Sequence, residues 1–141
     1  MSADAQQTSW RSIAVLVARL IFAAVFLMGT VFKFLDIGGT AGYIAAVGFP
    51  FPLFLAWCAA IFELALVIGF LTGAFFSELS LLAALYVVFL AFSFHMSGWG
   101  QDELGGLKFG AFVSHFPFAA GLLFAAAHGP GRWAIRKTLI G

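Results

Sequence analysis

The chain has 141 residues, of which 63% are hydrophobic and only 9% charged, whereas a soluble domain typically carries about 25% charged residues. So few charges cannot cover a water-soluble sphere of this size, and the missing polar surface implies that lipid does the covering. The formal net charge of +1, with no basic tract, leaves no electrostatic footprint for nucleic acid, and the single cysteine, Cys58, excludes an internal disulfide.

In chain order, Met1 to Trp10 carry no Lys or Arg, and the apolar run that follows is longer than the ~7–15 residues of a signal-peptide core. It also contains Arg19, and it reads as a retained first helix. Four runs are long enough to span a bilayer at about 20 residues each: residues 13–35, 51–72, 79–96 and 109–128. They are continuous rather than alternating, and helices satisfy their backbone groups internally, as lipid demands. The expected fold is therefore all-α, an integral membrane four-helix bundle forming a single domain over residues 1–141.

The breaks fit this reading. Asp36 to Thr40 ends the first run, and Gly48-Phe49-Pro50-Phe51-Pro52 opens the second, since proline suits a helix start. Thr72-Gly73 makes a tight turn, Gly98 to Gly106 is a polar loop, and Gly129-Pro130-Gly131 stops the fourth run. Residues 41–47 are a weak candidate for a short interfacial helix. Gly69 with Gly73, and Gly106 with Gly110, match the small-residue packing motif. Arg11 flanks the first span, and Arg132, Arg136 and Lys137 follow the last. At the other end, Lys33 and Lys108 are offset by Asp36, Asp102 and Glu103. Both termini are accordingly expected in the cytoplasm, in a bacterial inner membrane. Trp10 and Trp133 would anchor the inner interface and Trp99 the outer one.

Polar residues inside the spans carry the functional information, because a charge at the bilayer centre costs about 2.5–3.5 kcal/mol or more. Glu63 sits about 13 residues into the second run and Arg19 about 6 into the first, which puts them within about 5 Å in depth at 1.5 Å per residue. An interhelical Arg19–Glu63 pair is expected, either functional or fixing register. Lys33 would snorkel to the headgroups beside Asp36, and His95 would lie at the outer interface. His115 is deeper, between Ser114 and Pro117. These three suggest a small polar cavity at a kinked helix, against a packed kink whose imidazole bonds a neighbouring carbonyl. His95, His115 and Glu63 lie on different helices without ligand spacing, so no metal site is expected, and a haem held by His95 and His115 has no further support. Phe22 with Phe26, and Phe89 with Phe92, would line a flat pocket for a quinone ring or pack as core. With no nucleotide loop, nucleophile elbow or zinc motif, no catalytic residue is assigned and a free-standing enzyme is not expected.

Several segments together resemble the DoxX family: Ala18-Arg19-Leu20 with Gly29 and Lys33; Tyr43-Ile44-Ala45 leading to Gly48-Phe49-Pro50; Glu63-Leu64 with Gly69; Phe94-His95; and Ala127-His128-Gly129-Pro130-Gly131-Arg132. The resemblance implies a four-helix membrane protein associated with quinone-linked or other membrane oxidoreductases. In place of a Lys-Asn pair common early in the fourth span stands Ser114-His115, so activity that depends on that pair is not carried over. Three functions follow. The first is a subunit of a quinone-linked oxidoreductase in which Arg19, Lys33, Glu63, His95 and His115 bind the quinone or handle protons. The second is a non-enzymatic accessory or assembly subunit docked on a larger membrane complex. The third is a small-solute transporter acting as a homo-oligomer.

Overall fold

The computed structural model describes residues 3–97, 99 and 103–140, and every regular element among them is an α-helix. The elements are α1 (Ala3–Leu35), α2 (Ile37–Ala46), α3 (Pro52–Thr72), α4 (Phe76–Phe94) and α5 (Glu103–His128). Four stretches are long and apolar enough to cross a membrane: Trp10–Leu35, Pro52–Thr72, Phe76–Phe94 and Gly105–His128. Gly98, Gly100, Gln101 and Asp102 of the expected polar loop lie outside the described residues. The helix of the fourth span, α5, begins earlier than expected, at Glu103, because Gly105 and Gly106 are helical rather than loop.

The residues between α1 and α3 form a full short helix, longer than the 41–47 segment suggested. Asp36 is its N-cap: the carboxylate accepts from Gly39 N–H at 2.8 Å, the role for which Asp is preferred. Asp36 is thus occupied with α2 and is not a partner for Lys33. Pro52 occupies the first turn of α3, and Gly73 closes that helix at φ 80°, donating to the Gly69 carbonyl at 2.7 Å. A side chain at Gly73 would also collide with Ala134. Gly69 packs closely against Leu79, whereas nothing approaches Gly106 or Gly110, so only the first of the two glycine pairs serves packing.

α1 packs chiefly on α3 and α4 on α5, with α2 laid against α3. The two pairs join through phenylalanine rings. Phe22 meets Phe70 at 5.5 Å and Phe118 at 5.7 Å, Phe26 meets Phe118 at 5.6 Å, and Phe70 meets Phe76 at 5.7 Å between centroids. Phe22 and Phe26 are therefore core, held by the offset and edge contacts that aromatic rings favour. Buried Ala56, Ala60, Ala83, Ala84 and Ala91 allow close helix approach.

Arg19 does not pair with Glu63. It is 1% exposed, and its guanidinium donates to the carbonyls of Phe70 (2.9 Å), Leu71 (2.7 Å), Pro130 (3.2 Å) and Trp133 (2.5 Å). Two of these are orphan carbonyls of the last turn of α3, where the helix dipole favours a cation. The register explains the difference: Gly29 lies against Glu63, so Arg19, ten residues earlier on α1, is about 15 Å away along the axis. Helical side chains also lean toward their helix's N-terminus, which carries Arg19 away from Glu63. The C-terminal tail folds back over this end of the bundle, with Ile135 N–H donating to Thr72 and Phe75 N–H to Lys137, at 2.9 and 2.7 Å.

Arg19→Leu would leave these buried carbonyls without donors, at about 1–3 kcal/mol for an unsatisfied group. We expect a clearly lowered thermal unfolding temperature in detergent, faster tryptic cleavage at Arg136 and Lys137, and partial recovery in Arg19→Lys. Wild-type unfolding and wild-type proteolysis of Arg19→Leu together would remove the clamp.

Candidate functional site

Midway along α3, the Glu63 side chain is 4% exposed, yet both of its oxygens are engaged. Lys33 Nζ stands 3.0 Å from Oε2, and the Tyr86 hydroxyl donates to Oε1 at 2.7 Å. Lys33 comes from the loop-side end of α1, Tyr86 from the middle of α4. Direction again decides the partnership. α1 and α3 are antiparallel, so Lys33 leans back into the bundle while Glu63 leans out toward it. Lys33 therefore does not snorkel away. Gly29 makes the approach possible, since a Cβ there would sit 2.7 Å from Glu63 Oε2.

Above this network lies a cavity of about 770 Å³, within the range of small-molecule sites. Helices α1 to α4 all contribute to it. Its walls are apolar and aromatic: Tyr43 stacks on Phe94 at 5.1 Å and 18°, and Phe49 approaches Phe89 at 5.9 Å. Lys33 and Tyr86 line the cavity, with Glu63 behind them. Phe89 is a wall residue, whereas Phe92 turns to Phe112 and Phe116 on α5. Cys58 also lines the space and is exposed.

His95 caps the C-terminus of α4, its N–H donating to Ala91 at 3.1 Å, and its ring borders the cavity. Its Nδ1 is buried without a hydrogen-bond partner among the described residues. Burial, then the neighbouring His115 and Lys108, push its imidazole below the ordinary value, which favours the neutral ring at pH 7. His115 lies beside it, tilted by 47° at 5.0 Å between centroids. His115 itself is engaged with the Ala111 carbonyl, which also accepts from Ser114 Oγ. Neither Ser114 nor His115 lines the cavity. The imidazole thus bonds a carbonyl of its own helix, and the cavity beside Lys33 lies on other residues. Among the described residues, no group of three or more His, Cys, Asp or Glu is placed to hold a metal ion.

Of the five residues singled out from the sequence, Lys33, Glu63 and His95 come together at the cavity, His115 supports His95 from behind, and Arg19 belongs to the far end of the bundle. Sequence reasoning missed Tyr86. Its signal was a phenol in the middle of an otherwise apolar span, where a hydroxyl needs a partner.

Four helices long and apolar enough to cross a membrane, holding a partly buried ion pair beside an aromatic-walled cavity, define a multi-pass α-helical membrane protein. A model of the DoxX family matches residues 14–96, and the chain belongs to the DoxX family. The matched stretch contains every residue lining the cavity, while α5 with His115 lies beyond it. Comparison with curated proteins and with solved structures returns no match.

Removing one partner of a buried pair is costly, about 3–5 kcal/mol, while replacing both by apolar groups is often neutral. Lys33→Met should therefore lower detergent stability sharply, and Lys33→Met/Glu63→Leu should regain much of the loss. Additive losses in a double-mutant cycle would show that the two side chains are not coupled.

Proposed function

We propose that the cavity holds the ring of a lipid-soluble quinone and that the chain serves as a membrane subunit of a quinone-linked oxidoreductase, with both termini on the cytoplasmic side of a bacterial inner membrane. The observation that carries this reading is the placement of the Lys33–Glu63–Tyr86 network at the edge of an aromatic-walled space of about 770 Å³. A quinone ring is flat and apolar and bears carbonyl oxygens that accept hydrogen bonds. An ammonium has three donors; that of Lys33 gives one to Glu63 and a long one, 3.5 Å, to the Gly29 carbonyl, which leaves one for a ring oxygen. His95, neutral at the rim, supplies a second polar contact. Glu63 behind Lys33 would take up or release the proton that accompanies a change in quinone redox state. Electrons would come from a partner subunit bearing a redox cofactor.

The accessory-subunit reading draws support from α5, whose apolar window is only 11% buried and which presents Leu107, Phe116 and Phe124 outward. That surface suits lipid or the helices of a larger complex.

Cys58 is the only cysteine and lines the cavity, so its modification reports occupancy directly. Labelling by N-ethylmaleimide in reconstituted protein should slow severalfold with a saturating short-chain quinone. Protection should weaken in Lys33→Met, checked at a temperature where that variant remains folded. A labelling rate indifferent to quinone would sink the reading.

A further inference from the structure

The end of the bundle that carries both termini has a second cavity, of about 500 Å³, between α4, α5 and the C-terminal tail. Its floor is apolar, made by Phe76, Ala126 and Ala127, and its rim carries His128, Arg136 and Lys137. The tail is not simply a solvated basic strand. Ile135 and Lys137 are both tied by backbone hydrogen bonds to the α3–α4 turn, which fixes the chain on either side of Arg136. The nearby carboxylate of Glu78 is turned to the tail, accepting from Thr138 Oγ1 at 2.7 Å, Ile140 N–H at 2.9 Å and Leu139 N–H. No acidic residue lines the cavity itself.

Ser77 brings the first turn of α4 into the same space, so the positive end of a helix dipole adds to the two cations. One turn deeper than His128, on the same face of α5, stands Phe124, 79% exposed. An anion bound at the rim thus has an apolar surface running from it into the membrane.

We propose that this cavity binds the phosphodiester headgroup of an anionic phospholipid, with Arg136 and Lys137 on the phosphate and the acyl chains along α5 past Phe124. The continuous apolar floor favours a lipid over free phosphate. The site is independent of the quinone reading.

The test uses the full-length protein purified in detergent and exposed to equimolar phosphatidylglycerol and phosphatidylcholine of identical acyl chains, with retained lipid counted by native mass spectrometry. The expected result is a preference for phosphatidylglycerol of about fivefold for each cation. It should disappear in Arg136→Gln/Lys137→Gln and persist in Arg11→Gln/Arg132→Gln, which removes the same charge from outside the cavity. Excess inorganic phosphate should not displace the lipid. Equal retention of the two lipids, or equal loss of preference in both double variants, would overturn the proposal. Displacement by phosphate would overturn the lipid assignment in favour of a free-anion site.

Discussion

The interaction on which the rest depends is the ion pair between Lys33 and Glu63 in a medium that cannot solvate either charge. The almost wholly buried Glu63 needs a partner, so the pair favours the register of α1 and α3 that brings the two side chains together. That register demands glycine at position 29, where any side chain would strike the carboxylate. It also places the end of α1 so that Asp36 can start α2 across the face of α3. The space left between α2 and the aromatic residues of α4 is the cavity. The pocket is thus the outcome of satisfying a charge, and its polar edge is the same set of atoms.

Arg19 and Lys33 show how one helix treats two cations differently. Both lean toward the N-terminus of α1, but Lys33 leans into the bundle and finds a carboxylate, whereas Arg19 leans toward the bundle's end and finds carbonyls. A guanidinium carries five donors in a planar fork, which suits the cluster of carbonyls from α3 and the tail. A lysine ammonium, a point charge, suits the single oxygen of Glu63. The two ends of the molecule are consequently closed by different chemistry.

The four spans and most of their breaks were legible because hydropathy and proline or glycine punctuation are local properties, though Gly105 and Gly106, read as loop, are helical. Lys33, Glu63 and His95 were legible as residues that lipid should exclude. Their partnership was not, because depth counted from the ends of an apolar run ignores both register and the lean of the side chain. That is how Arg19 came to stand where Lys33 belongs. Tyr86 escaped because tyrosine is amphipathic and raises no alarm in an apolar run. His115 was over-read, since a backbone carbonyl on its own helix is sufficient to satisfy it. The match to the DoxX family over residues 14–96 agrees with where the cavity's residues lie.

The clamp around Arg19 also bears on the order of biosynthesis. Of its four acceptors, Phe70 and Leu71 belong to α3, but Pro130 and Trp133 follow α5. The first span therefore enters the bilayer with a guanidinium whose shell stays half-built until α5 and the residues just after it have been made. During that interval the nascent bundle carries an incompletely solvated charge, which the return of residues 130–133 to α1 removes.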